Sequence, residues 1–247
     1  MRKQQWNIGC SGFSYKEWKG VFYPEKLPQS KWFAYHSTFF NTLELNVTFY
    51  RFPKVETFKG WYDKSPAHFS FAVKVPRLIT HLKQLNQVEE LLADFYGVCK
   101  EGLQDKLGPV LFQFPPKFSY TTERLDKLIQ LLDKDFINVV EFRHSTWWCE
   151  EVYTQLKKHT IIFCGISYPG LPEEVIATTP IVYYRFHGIP KLYYSQYKEE
   201  ELKTIADAIL AQQGVKTVYC FFNNTAAVGA IQNAQWLQQY AKEHTTG

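Results

Sequence analysis

Residues Ile137–Trp148 read INVVEFRHSTWW. Side chains alternate faces along an extended chain, so Val139, Glu141 and Arg143 share one face while Val140 and Phe142 share the other. An apolar strand that finishes in a carboxylate and a guanidinium is built to present them.

Working outward, similar short apolar runs fall at Trp6–Cys10, Thr42–Asn46, Phe69–Val75 and Pro109–Phe114 before it, and at Thr160–Ile166, Ile181–His187 and Thr217–Asn223 after it. With Asn138–Arg143 they make eight. Helical patterns lie between and after them, over 30–40, 55–64, 87–101, 122–134, 150–158, 197–213 and 226–242, with a weak one at 172–177. The pattern at 122–134 carries its own start signals. Thr121 or Thr122 is available as N-cap, Glu123 lies in the first turn, and Leu125, Leu128, Ile129 and Leu132 form one apolar stripe. Repeated βα units imply a parallel sheet, and eight of them suggest a single α/β domain over 1–247, a closed (β/α)8 barrel of the TIM type. An open doubly wound sheet is the rival. It would normally place a Gly-rich phosphate turn after the first strand, whereas Gly9-Cys10-Ser11-Gly12-Phe13 lacks the G-x-G-x-x-G spacing.

The same parity of polar residues recurs at the carboxyl ends of the other runs. Glu44 and Asn46 alternate with Leu43 and Leu45, Lys74 lies between Val73 and Val75, and Gln113 lies between Phe112 and Phe114. Arg185 and His187 alternate with Tyr184 and Phe186, and Asn223 or Asn224 closes the eighth run. In a barrel the apolar parity faces the helices, so the polar parity converges on the axis at the top, where sites on this fold are found.

Composition narrows the classes of function. A formal charge of +4, with basic and acidic residues interspersed, neither demands nor excludes a nucleic-acid partner. The five cysteines are widely spaced and contain no C-x-x-C pair, which argues against a disulfide framework or a zinc ribbon. Neither a signal-peptide pattern nor an apolar run of membrane-spanning length is present, so a cytoplasmic location with no membrane contact is expected. Aromatic residues make up 17% of the chain, more rings than a core of this size needs, so some are expected to line a cleft.

The stretches IGCSGFSYKEW, ELNVTFYRFP, FAVKVPRLITH, GPVLFQFPPKF, VVEFRHSTWW, YYRFHG and VYCFFNNT resemble, in order, the successive signatures of the YecE-like family, also catalogued as domain of unknown function family 72. The resemblance covers nearly the whole chain. It implies a TIM-barrel-like fold and specifies no reaction. Phe13 stands where many members carry Trp, and Cys10 where Thr is common, so Cys10 is not taken as a nucleophile.

Several chemistries fit the axial residues. Glu44 and Glu141 supply an acid/base pair if their environments separate their pKa values; otherwise each neutralises Arg185, Arg143 or Lys74. His187 suits proton transfer or a hydrogen bond to substrate. Lys74 suits charge stabilisation, anion binding or, if desolvated beside cations, attack on a carbonyl. Arg143, Arg185 and Asn223 are expected to hold an anion, with Asn46 and Gln113 as further hydrogen-bonders and Tyr15, Trp18 and Tyr50 shaping the pocket. No cofactor is called for, and no metal, because Glu44, Glu141 and His187 are interleaved with cations. The expected activity is that of an enzyme, of hydrolase or of lyase or isomerase type, on a small polar or anionic ligand such as a sugar or sugar phosphate. A nucleic-acid-binding or nucleic-acid-processing barrel and a non-catalytic ligand-binding protein are the alternatives. Nothing in the sequence speaks to oligomeric state.

Overall fold

The computed structural model describes Gln4–Thr245. Eight strands appear in the expected places: β1 (Gln5–Cys10), β2 (Thr42–Leu45), β3 (Ser70–Lys74), β4 (Leu107–Gln113), β5 (Asn138–Glu141), β6 (Ile162–Ser167), β7 (Ile181–Phe186) and β8 (Thr217–Phe222). All neighbours are parallel, in the order β1-β8-β7-β6-β5-β4-β3-β2. This is a nearly closed TIM-type barrel.

The seam between β1 and β2 is joined by a single bridge, Ser11 to Glu44, in which Gly12 N donates to Glu44 O at 2.9 Å. Asn41 completes it lower down, accepting from Ile8 N and donating to Trp6 O. A Cβ on Gly9 would lie 2.3 Å from the Thr42 carbonyl oxygen, so only glycine lets the first strand come close enough to close the barrel.

The helices are α1 (Trp32–His36), α2 (Val47–Tyr50), α3 (Val55–Lys64), α4 (Glu89–Leu103), α5 (Thr122–Leu131), α6 (Glu150–Lys158), α7 (Glu199–Leu210) and α8 (Gly229–Thr245). In α5, Thr121 Oγ1 accepts from Arg124 N, and Leu125, Leu128 and Leu132 are buried as the stripe requires. One expected helix is absent: 172–177 is irregular, and the β6–β7 crossover is an irregular segment pinned by Thr178, whose Oγ1 donates to Ile161 O and accepts from Phe163 N. Pro172 and β-branched Val175 and Ile176 give that stretch little intrinsic helix preference. The helix expected at 30–40 shortens to one 3-10 turn and five α-helical residues, and α2 is an addition.

Parity sorts the barrel as alternation demands. Ala72, Leu111, Val139, Ile162, Cys164, Ile166, Tyr183, Tyr219 and Phe221 form a core of their own inside the barrel. The intervening residues pack outward into two clusters beneath the helices. Above the inner core the axial positions turn polar. None of the helices in the described residues is long and apolar enough to cross a membrane.

Candidate functional site

The polar ends of the strands meet in one hydrogen-bonded chain. Arg185, at the end of β7, lies between the two carboxylates: Nη1 is 2.5 Å from Glu141 Oε2 and Nη2 is 2.6 Å from Glu44 Oε1. Glu44 also accepts from Ser11 Oγ and from Tyr183 OH, each at 2.7 Å. Glu141 Oε1 takes the Nε–H of Arg143, which lies two residues on and so on the same face of the strand. Arg143 Nη2 then reaches His187 Nε2 at 3.1 Å, and the Asn223 amide lies 3.0 Å from His187 Nδ1. A guanidinium donates and cannot accept, so Nε2 is the acceptor nitrogen of a neutral ring. Nδ1 then carries the proton, and Asn223, whose Nδ2 faces Nδ1 in this structure, accepts it only with its amide turned over.

Electrostatics follow from this geometry. Burial opposes charge on Glu141, but Arg143 and Arg185 outweigh it and hold the carboxyl well below the usual carboxylate range. Burial and then Arg143 keep His187 uncharged, its pKa well below that of free imidazole. All four carboxylate oxygens of Glu44 and Glu141 are engaged, so the two residues read as an acid/base pair are charge partners of arginines in this structure. Such buried pairs are costly to break because the partner left behind has no solvent to turn to.

Lys74 differs. Among the described residues its Nζ makes no hydrogen bond or ion pair, and it stands 4.1 Å over the ring of Phe49. Burial, followed by the charge of Arg185, lowers its pKa to about 7, against the opposing pull of Glu141 and Glu44. His81 meets the same ring edge-on, with centroids 4.9 Å apart, and lies 3.4 Å from Gln113 Nε2, which donates to Phe114 O at 2.7 Å. Burial and then Lys74 lower the His81 pKa to about 4, so it too is neutral.

Exposure separates what a solute meets from what stands behind. Glu44, Glu141, Arg185 and His187 are 0% exposed, while Lys74, Arg143 and Gln113 keep 8–9%. Asn46 and Asn223 are half-buried at the same end, and the Asn46 Oδ1 is buried without a hydrogen-bond partner among the described residues. Counted as charges, Arg143, Arg185 and Lys74 stand against Glu44 and Glu141, an excess of one positive when the lysine is protonated.

The aromatic residues divide. Tyr15 is half-buried, with its hydroxyl on Ser11 O at 2.6 Å, and Tyr50 is 75% exposed. Trp18, expected to shape the pocket, is fully buried beneath Tyr15 with its Nε1 on Ala227 O; it braces the rim from below. Trp147 is also core, stacked 3.8 Å from Phe142. Asn224 is turned to Ser195 O and Asn233 Oδ1, and α8 begins at Gly229, so this asparagine fastens the loop to the helix. A cavity of about 800 Å³ opens at the opposite end of the barrel, lined by Phe136, His159, Thr160 and Thr179 among others, away from this network.

With fold and network in view, comparison with known proteins is informative. The profile described as "Protein of unknown function DUF72" matches residues 7–247. The chain belongs to the DUF72 family. Among its relatives, the UPF0759 protein YunF of Bacillus subtilis (strain 168) is 25% identical over 261 residues, 92% of each chain. The UPF0759 protein YecE of Escherichia coli (strain K12) is 26% identical over 152 residues, 60% of this chain and 53% of YecE. Among solved structures, a DUF72 protein from Thermotoga maritima MSB8 superposes with a TM-score of 0.88 at 32% identity, covering 97% of this chain and all of that one. One from Enterococcus faecalis V583 gives 0.83 at 21% identity, covering 96% of each, a likeness of fold.

Four residues of this DUF72 site escaped the sequence reading. Ser11 and Tyr183 complete the shell of Glu44, and Tyr168 lies under Arg143, with its ring centre 4.1 Å from the guanidinium carbon. All three continue an axial parity, two residues beyond Gly9, before Arg185 and beyond Ile166 respectively: Tyr183 lies within its run, and Ser11 and Tyr168 are reached by carrying the parity past the end of theirs. His81 lies in a π-helical turn at 78–82, off any strand, and no periodicity reaches it.

Proposed function

We propose that this barrel binds a small anion at the carboxyl ends of its strands and acts on it as an enzyme, the substrate being a polar compound such as a sugar phosphate. The observation that carries this reading is the division of exposure. The cations Lys74 and Arg143 keep some exposure at the mouth, while the Gln113 amide nitrogen is taken up by Phe114 O and His81 and both carboxylates lie behind with their oxygens occupied. An anion approaching the axis meets donors and excess positive charge. The half-buried Asn46 and Asn223 amides and the Tyr15 and Tyr50 rings supply the polar and flat surfaces that a sugar needs.

Among the axial groups Lys74 is the one poised to exchange a proton near neutral pH, because its pKa lies at about 7. Glu141, held ionised by two arginines, serves to fix their positions, and Glu44 does the same for Arg185. His187, neutral and buried, orients Arg143 through Nε2.

Thermal unfolding against inorganic phosphate, sugar phosphates, free sugars, nucleotides and short oligonucleotides tests the reading. A rise in melting temperature with phosphate-bearing small molecules, lost in Arg143→Met, is expected. Stabilisation by oligonucleotides alone, abolished by salt, overturns it in favour of a nucleic-acid-binding barrel. Stabilisation by small anions with no turnover of any of them removes the enzymatic part.

A further inference from the structure

We infer that Lys74 is a covalent nucleophile, forming an imine with the carbonyl group of a small phosphorylated or carboxylated ketone or aldehyde. This deepens the proposed function, on whose anion site it rests.

Four features of the residue converge. Lys74 ends β3 on the axial parity, and its Nζ is the one buried charged group of the network with neither hydrogen bond nor ion pair among the described residues. A lysine placed there for structure would be paired, as Lys106 is: buried elsewhere in the fold, it donates to Tyr62 O, Ser65 O and Ser65 Oγ at 2.7–2.8 Å. The Phe49 ring lies 4.1 Å from Nζ, and the charges of Arg185 and Arg143 disfavour a second cation there. Both carboxylates that might have claimed the ammonium are committed to those arginines. With its pKa pushed down to about 7, Lys74 carries a free lone pair near neutral pH far more often than an ordinary surface lysine does.

Anion and nucleophile are then set side by side. The Arg143 guanidinium, whose Nη1 is not used by Glu141 or His187, holds a phosphate or carboxylate, and Lys74 faces the adjoining carbonyl carbon. The Nζ lone pair adds to that carbon, and one amine proton passes to the carbonyl oxygen, giving a carbinolamine. A proton from solvent makes that oxygen leave as water, and the carbon–nitrogen double bond formed is a protonated imine. The net change is amine plus carbonyl plus one proton giving iminium plus water. No oxidant or metal enters. The iminium is an electron sink for breaking or isomerising a bond on the adjacent carbon, in keeping with lyase or isomerase chemistry.

Reductive trapping decides the matter. The whole protein is incubated at pH 7 with dihydroxyacetone phosphate, pyruvate or glyoxylate, with sodium cyanoborohydride supplying hydride to any imine, and is then mapped by peptide mass spectrometry. One adduct per chain is expected on Lys74, at a rate at least tens of times that of any surface lysine. The free-amine advantage is partly offset by the lower nucleophilicity of a less basic amine. Lys74→Arg separates the two levels of the argument, because it keeps a cation at the mouth and removes the primary amine. In the variant the adduct per chain is expected to fall to the surface-lysine level, while the phosphate shift of the native protein reports the anion site by itself. Phosphate stabilisation of the native protein with no Lys74 adduct above the surface-lysine level for any of the three compounds overturns the covalent step and leaves the anion site standing. Absence of both the adduct and the phosphate shift overturns the site reading as well.

Discussion

Arg185→Met probes the network at its centre. The guanidinium donates to Glu44 and Glu141 through separate nitrogens and is itself fully buried. Methionine matches much of its volume, so the cost is electrostatic. The two carboxylates are left unequal: Glu141 keeps Arg143, whereas Glu44 keeps only two neutral donors, Ser11 and Tyr183. Glu44 thus becomes a buried charge without a counter-ion, a situation that costs about 3–5 kcal/mol. The same size follows from two lost hydrogen bonds to charged groups at about 1.5–3 kcal/mol each. Against a total stability of about 5–15 kcal/mol, this leaves a folded but visibly weakened protein.

The pH dependence of that loss has a definite sign. A buried carboxylate without a cation has a raised pKa, so the folded variant binds a proton that the unfolded chain releases above about pH 4, and its stability increases as pH falls through the raised value. Urea unfolding at pH 7.5 and pH 5.5 measures both effects, with the deficit relative to the native protein narrowing at the lower pH. Adding Glu44→Gln to Arg185→Met recovers most of the loss at pH 7.5, because the orphaned charge is then gone. A deficit under about 1 kcal/mol at pH 7.5, or one that neither pH nor Glu44→Gln alters, refutes the assignment of Arg185 as the common counter-ion.

Three further perturbations test other parts of the account. His36 is buried among Trp18, Phe22 and Phe40 with neither ring nitrogen hydrogen-bonded, and burial pushes its pKa down to about 3. The unfolded chain therefore takes up a proton there that the folded one refuses. Between about pH 6.5 and 3 this destabilises the fold by up to about 1.4 kcal/mol per pH unit, and His36→Phe is expected to flatten the urea-derived stability profile in that window by that slope. Gly9→Ala drives a methyl into the Thr42 carbonyl at the β1–β2 seam, at an expected cost of about 1–3 kcal/mol in chemical denaturation, with amide exchange of β1 accelerated. Trp147→Ala removes a ring stacked on Phe142 and Phe118 and is expected to cost about 3–5 kcal/mol, with no loss of the phosphate-induced thermal shift beyond that set by stability.

Much of the architecture was legible because alternation is a strong signal where strands are buried on both sides. Glu44, Lys74, Gln113, Glu141, Arg143, Arg185 and His187 all lie at the barrel end where their parity puts them. What parity cannot carry is pairing. Glu141 and Glu44 look like an acid/base pair in one dimension, and only three-dimensional closure places the same guanidinium between them. Trp18 and Tyr15 share one loop and one aromatic character, yet one is core and the other rim, since burial depends on a contact with Ala227 more than two hundred residues away. The 172–177 segment is not a helix for a local reason, Pro172 and two β-branched residues, which outweighs the alternation of elements around it. His81 was out of reach altogether, because a π-helical turn has no spacing to read.

The most direct test of the anion site is crystallographic: crystals soaked in selenate, with anomalous data collected at the selenium edge. The account predicts a peak within hydrogen-bond reach of Arg143 and Lys74 at the carboxyl ends of β3 and β5, absent from Arg143→Met crystals treated alike. Selenate peaks confined to surface sites, with only water over Arg143 and Lys74, would contradict it.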